Sequence, residues 1–305
     1  MTLHQLRTFL AVVDAGSVQG AAAALVVSQP AVSAAVSALT REVGVDLLQR
    51  QGRGISITEA GRAFAAEVRT SLDGLDRATR VARSVEEPGQ GTVRLAAIAT
   101  AAEHLLLPLL VSFRDGHPEA GINVRVGNRA TVWDALRGLD VDLVVAGRPP
   151  SSIDGLVLGR ATNALVVVGP PPVPPSARAA MELLASSTWL LREEGSGTRA
   201  ATDGLLASLD LDPPTMVLGS NGAVEAAVVG GFGVAVLPVG AIAPRLDDGS
   251  LVGIDCPGTP LDRPWHLVAP GAVTPTPTAV LAARSLLVSA GGFRPTPEGR
   301  RWLDR

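Results

Sequence analysis

Within the first 43 residues, apolar side chains recur three times at helical spacing, and each time a turn cuts the pattern. Leu3, Leu6, Phe9, Leu10 and Val13 form the first stripe, which stops at Ala15-Gly16-Ser17. Ser17 is placed to cap a second helix over 18–25, whose alanines make a surface on which a neighbouring helix can sit close. Val26-Val27-Ser28 interrupts again. Ser28-Gln29-Pro30 then reads as a third start, with Ser28 as the cap and Pro30 in the first turn, where a missing N–H costs nothing. That helix runs to about Val43 and ends at Gly44. Val32, Val36 and Leu39 give it an inward stripe, which leaves Gln29, Ser33 and Ser37 on another side.

Two helices joined by a short turn, the second opening on small polar residues, make a helix-turn-helix. Its second helix offers its first polar side chains to base edges in the major groove. Residues 47–58 then alternate apolar and polar across Gly52-Arg53-Gly54, the pattern of a small hairpin or wing, with Arg50 and Arg53 placed to touch phosphates. A long helix is predicted from Thr58-Glu59 to about Val85, with Phe64, Val68, Leu72, Leu75, Ala78 or Thr79, Ala82 and Val85 spaced by threes and fours. So narrow a stripe has to be buried against a partner, and the simplest partner is a second copy of the chain. Glu86-Glu87-Pro88-Gly89-Gln90-Gly91 marks the clearest domain boundary.

Beyond it, strands predicted at 93–98, 122–126, 143–146, 164–168, 189–191, 215–218, 234–237 and 265–268 are separated by helices at 105–114, 131–138, 176–185, 198–209, 222–229 and 278–290. This alternation argues for parallel sheets wound on both faces, with length enough for two lobes and a crevice between them. The expected fold is α/β with an N-terminal all-α winged helix-turn-helix. Residues 1–58 form the winged helix-turn-helix, 59–87 a linker and dimerisation helix, and 91–305 a two-lobed domain, with lobe 1 at about 91–163 and 266–305 and lobe 2 at about 164–265.

The 305 residues are 47% apolar and carry a formal charge of −3, and lysine is absent, so all 26 basic residues are arginine. Residues 1–88 hold nine arginines against nine acids, so no strongly basic domain announces a nucleic-acid partner. The single cysteine, Cys256, excludes an internal disulfide framework and a multi-cysteine zinc site, and points to a reducing, cytoplasmic setting. No signal peptide is expected, and no membrane span either, since no run of about 18 apolar residues occurs. Metal ligands at helical spacing, a phosphate-binding loop and a dinucleotide fingerprint are missing, and neither metal nor cofactor is expected. Ser196 does not stand in Gly-x-Ser-x-Gly, and none of His4, His104, His117 and His266 stands out as its base. No enzyme is expected.

The run Leu6-Arg7-Thr8-Phe9-Leu10-Ala11-Val12-Val13, with Gly16-Ser17, Ala21-Ala22, Ser28-Gln29-Pro30-Ala31-Val32-Ser33, Leu47-Leu48, Arg50 and Ile57-Thr58-Glu59-Ala60-Gly61, resembles the N-terminus of LysR-type transcriptional regulators. The remainder resembles that family's periplasmic-binding-protein-like effector domain, in the branch of carbon-fixation and sulfur-assimilation regulators. Phe113-Arg114-Asp115-Gly116-His117-Pro118, Gly147-Arg148-Pro149-Pro150, Leu191-Arg192-Glu193-Glu194-Gly195-Ser196-Gly197-Thr198-Arg199, Gly219-Ser220-Asn221 and Gly233-Val234-Ala235-Val236-Leu237-Pro238 carry that likeness. The chain departs from the family at Ala34, Ala35 and Thr40, which leaves few side chains for direct base readout, and it keeps only Thr100 of a Ser/Thr-rich loop. The resemblance implies binding to an interrupted palindrome in double-stranded DNA, a homodimer or homotetramer, and a small anionic metabolite held between the lobes.

Ser28, Gln29, Pro30, Ser33 and Ser37 are the candidates for the DNA-reading helix, Gln29 being able to read an adenine edge, and Arg50 and Arg53 for phosphate contacts. Ser28 serves equally as a mere cap and Arg53 as a solvated turn residue. For the effector, the backbone N–H groups of 193–199, the Ser196 and Thr198 hydroxyls, the helix dipole and Arg199 suit an anion at a helix start. Thr100, Asn128, Arg148 and Asn221 lie at the ends of other predicted strands. The alternatives are a loop that only caps its own helix and, for Arg148, a salt bridge between lobes. From another class, a small-molecule binding or transport protein would share the second part of the chain but not its first.

Overall fold

The first three helices begin where their caps stand. Thr2, Ser17 and Ser28 each lie in extended backbone and accept a hydrogen bond from the N–H three residues on, starting α1 (Leu3–Ala15), α2 (Val18–Leu25) and α3 (Gln29–Val43). Left-handed residues Gly16, Val26 and Gly44 end them. Val26 does so at φ 56 while 90% exposed, a conformation that costs a β-branched residue about 1–2 kcal/mol. The computed structural model describes residues 1–51, 54–86, 90–271 and 273–304. The chain divides into two units, Met1–Arg80 and Val81–Arg305.

In the first unit α2 and α3 meet at 110°, the crossing of a helix-turn-helix. Phe9 and Val12 of α1, Ala21 and Ala22 of α2, and Val32, Val36 and Leu39 of α3 form its core. A hairpin of β1 (Leu48–Gln51) and β2 (Gly54–Ile57) follows, then α4 (Glu59–Glu86). Thr58 locks hairpin to helix: its hydroxyl donates to the Asp46 carbonyl at 2.7 Å and accepts from the Gly61 N–H at 2.9 Å. The stripe of α4 is covered in a way the sequence pattern did not anticipate. Val68 and Leu72 are buried on the core of their own chain, and Arg7–Asp76 and Arg69–Asp14 ion pairs tie α4 to α1. Leu75, Ala78 and Ala82 remain exposed.

The second unit contains β3 (Thr92–Ile98), α5 (Ala99–Ala101), a π-helical turn (Ala102–Leu106), α6 (Leu107–Gly116), β4 (Gly121–Gly127), α7 (Arg129–Arg137), β5 (Leu143–Ala146) and β6 (Gly155–Ala161). The chain continues through β7 (Ala164–Gly169), α8 (Ala177–Ser186), β8 (Trp189–Arg192), α9 (Gly197–Ser208), β9 (Thr215–Leu218), α10 (Asn221–Val229), β10 (Ala235–Pro238), α11 (Val239–Asp247), β11 (Val252–Gly253) and β12 (Leu261–Asp262). It ends with β13 (Trp265–Pro270), α12 (Pro277–Val288), β14 (Arg294–Pro295) and α13 (Pro297–Leu303).

Six strands form one sheet in the order β14-β6-β13-β5-β3-β4. One face packs Leu95, Phe113, Leu143, Trp265 and Leu286 beneath α6 and α12, and the other packs Trp133 and Leu136 of α7 on Ala96 and Val144. In the other sheet β7 pairs antiparallel with β10, β11 and β12, and the parallel pair β8–β9 joins through a bridge from Trp189 to Val234. The sheets are therefore mixed, not parallel as the alternation suggested. The reason is that the chain crosses between the sheets twice at one edge: β6 leaves through it and β13 returns through it, so β13 must run against its neighbours.

Candidate functional site

The cap Ser28 and Gln29, Pro30, Ser33 and Ser37 of α3 are all exposed, whereas Val32, Val36 and Leu39 are buried. Ser28 is a cap, accepting from the Ala31 N–H at 3.4 Å, and the Ser37 carbonyl accepts from Arg41. Beyond the Ser28 cap, a helix whose first turns expose polar side chains can offer them to a base edge. Arg50 lies on β1, and Arg53 falls outside the described residues.

Strand register places the second group of candidates. Ile98 pairs with Gly127, Ala97 with Val145, and Ala146 with His266, so β3, β4 and β5 all end at one edge, the edge through which β6 leaves and β13 returns. Thr100, Asn128 and Arg148 follow those three ends. In the other sheet β10 ends opposite the start of β7, and β8 and β9 run with it, so their carboxyl ends also face the crossovers. Ser196, Thr198, Arg199 and Asn221 follow those ends. Asn163 and Arg263 clamp the crossovers together, through an Arg263 N–H to the Asn163 carbonyl and an Asn163 amide to the Arg263 carbonyl, both 2.9 Å. Both sheets thus turn their carboxyl edges toward one hinge, the usual place for a ligand in open α/β sheets.

On the α9 side the hub is Arg192, which the residue-by-residue reading passed over. Its side chain is 11% exposed and donates to Asn221 Oδ1 at 2.6 Å and to both Glu193 oxygens at 2.7 and 2.8 Å. The Arg192 guanidinium holds the Glu193 carboxyl below its ordinary range. Because arginine only donates, Asn221 must turn its oxygen toward it and its amide nitrogen away. That nitrogen is buried without a partner at the first turn of α10. Ser196 starts α9 but makes no side-chain cap bond, so its hydroxyl is not spent on its own helix. Arg199 is braced by Asp203 at 2.8 Å and reaches the Arg192 carbonyl at 3.3 Å, and the Thr198 carbonyl accepts from Thr202.

On the β3 side Thr100 is buried, Asn128 caps α7 by accepting from the Thr131 N–H at 3.0 Å, and Arg129 donates to the Arg148 carbonyl at 3.0 Å. No acidic partner holds the Arg148 side chain among the described residues. His266, one residue into β13, is 5% exposed, and its Nδ1 is buried without a well-formed hydrogen bond. Burial first, then the charges of Arg160 and Arg148, keep its imidazole below the ordinary pKa against an opposing pull from the Pro264 carbonyl. Cys256 is buried and its thiol pushed up by desolvation, the environment of an inert packing residue. Among the described residues no cluster of three His, Cys, Asp or Glu could hold a metal, and no single helix is long and apolar enough to cross a membrane.

Residues 3–62 match the bacterial regulatory helix-turn-helix family of lysR type, and residues 86–289 match the LysR substrate binding domain. The HTH-type transcriptional activator CmpR of Synechocystis is 33% identical over 270 residues, 88% of each chain. The RuBisCO operon transcriptional regulator of Allochromatium vinosum is 34% identical over 271 residues, 88% of this chain and 89% of its own. Full-length CbnR complexed with its target DNA superposes with a TM-score of 0.69 at 22% identity, covering 95% of this chain and 100% of that one. The regulatory domain of Synechocystis CcmR in complex with 2-PG gives 0.56 at 26% identity over 66% of this chain and 100% of that one. With one family match over the helix-turn-helix and another over most of the remainder, this chain belongs to the LysR family of transcriptional regulators, a DNA-binding regulator with an effector-binding domain and not an enzyme.

Proposed function

We propose that the chain regulates transcription by gripping an interrupted palindrome as a homodimer or homotetramer, and that a small anionic metabolite bound at the hinge between the two sheets biases that grip. Ser28, Gln29, Pro30, Ser33 and Ser37 read or position the DNA from α3, with Arg50 and Arg53 on phosphates. A segment of zero net charge binds phosphates weakly, so affinity comes from doubling the contacts in the oligomer. Thr100, Asn128 and Arg148 on one wall, and Ser196, Thr198, Asn221 and the braced Arg199 on the other, receive the metabolite. The observation that carries the ligand reading is the buried, unpartnered Asn221 amide beside the uncapped start of α9. Two helix N-termini and a stranded donor favour an anion. The complexes of CbnR with DNA and CcmR with 2-PG support the two halves of the reading. A ligand can act on the DNA only through different affinity for two arrangements of the lobes.

The test is thermal melting of the full chain against sugar phosphates, small carboxylates, sulfur oxyanions and nucleotides. A true effector at about a hundred times its Kd stabilises by roughly 2.7 kcal/mol, and the shift should vanish in Asn221→Ala and Thr100→Ala. A shift that survives both changes would put the ligand elsewhere.

A further inference from the structure

We propose that Arg148 and Arg160 beside the buried imidazole of His266, with Arg294 next along the same row, form a second anion subsite on the six-stranded sheet for a phosphate-like dianion. The placement comes from register. His266 pairs with Arg160 across β13–β6, and Arg160 pairs with Arg294 across β6–β14. Trp265, Ala161 and Phe293, the neighbours in sequence, all point into the core beneath α12, so the alternation of a strand sends His266, Arg160 and Arg294 to the opposite face. On that same row stands Ala146, two residues before Arg148.

Directly opposed like charges destabilise a pair of strands, yet Arg160 and Arg294 face each other, and no carboxylate answers either of them or Arg148 among the described residues. The second observation is independent of charge. His266 is 5% exposed, and its Nδ1 is buried without a well-formed hydrogen bond, the Pro264 carbonyl being the one backbone group among the described residues that acts on the ring. A dianion resolves both: it neutralises the arginines, whose planar forks suit phosphate oxygens, and it accepts a hydrogen bond from His266 in the tautomer that carries its proton on Nδ1. The subsite deepens the hinge reading and rests on it, because it lies on the row where β5 ends and β13 begins. It implies that the effector carries two anionic groups, or one group large enough to span from the α9 and α10 starts to this row.

The experiment uses inorganic phosphate and pyrophosphate as probes, and the imidazole resonances of the full chain labelled in its four histidines as the readout, with His266 assigned through His266→Gln. Phosphate should move the His266 signals saturably and raise the pH at which they titrate, since an anion favours the imidazolium. Arg160→Gln and Arg294→Gln should each weaken the effect about tenfold, the usual loss for one charge-assisted contact. Both residues are exposed, and circular dichroism checks that the variants fold. Asn221→Ala should leave the phosphate response intact. If His266 does not respond to either probe, or responds equally in both arginine variants, the subsite is overturned. If it responds as stated while Asn221→Ala and Thr100→Ala leave every effector shift unchanged, this subsite stands and the hinge reading fails.

Discussion

At the residue scale the informative positions are those whose environment contradicts their chemistry. His266 is a histidine kept from water beside two arginines, and both effects lower its pKa in the folded chain. Below the unfolded value of about 6.5 the unfolded chain takes a proton that the native one refuses. Stability is therefore full above that pH and declines as pH falls through it toward the depressed native value. Urea midpoints should drop between about pH 7.5 and 5.5 in the wild type, and the drop should be smaller in His266→Gln; parallel curves for the two proteins would assign the acid sensitivity to other groups. None of this was visible in sequence, where His266 was one of four histidines without a motif. Arg192 was hidden in the same way: it stood inside a recognised run, but the run drew attention to its Ser-Gly-Thr turn. Only the fold shows Arg192 turning the Asn221 amide outward. Ser196 shows the opposite case: the sequence offers it both as a cap and as a donor, and in the fold its hydroxyl makes no cap bond.

At the scale of elements, the motif Ile57-Thr58-Glu59-Ala60-Gly61 acquires a mechanical meaning. Thr58 bonds back to the segment before the hairpin, and a Cβ on Gly61 would stand 2.0 Å from the Leu47 carbonyl. Glycine is required there for close approach, since its φ is not in the left-handed region. Gly61→Ala should push α4 off the segment that leads into β1, at a cost of about 1–3 kcal/mol or more. Hydrogen exchange should then accelerate within residues 1–80 and stay unchanged beyond residue 92; unchanged protection on both sides would mean that the strand yields instead. The elements that sequence reading found were those with caps and clean periods, such as α2, α3, β5 and β9. Those it missed lack such signals. β6 (Gly155–Ala161) begins with glycine, holds a second one and a charged residue, and shifts register against β13. α11 carries Pro244 within it, which reads as a helix breaker, and α13 is only seven residues long.

At the scale of the whole molecule, the exposed second half of the α4 stripe is the surface on which the proposed dimer turns. Leu75 is 50% exposed and Ala78 and Ala82 lie beside it along the helix. Leu75→Glu should lower the sedimentation coefficient toward that of a monomer and weaken DNA binding at least about a hundredfold, because the second half-site then contributes no avidity; an unchanged coefficient with unchanged binding would move the dimer contact off α4. What the sequence determined by itself was local: caps, breaks and periods that specify three helices, a wing, a long helix and an α/β remainder, together with a motif set dense enough to identify the family. Such features depend on residues within a turn or two of one another, so they can be read in order along the chain. Strand direction, the shared edge where β3, β4, β5, β8, β9 and β10 end, the Asn163–Arg263 clamp, and the gathering of His266 with Arg160 and Arg294 were decided only by tertiary structure. Each joins residues from about thirty to more than a hundred positions apart, and no local pattern encodes which distant strand a given strand will pair with.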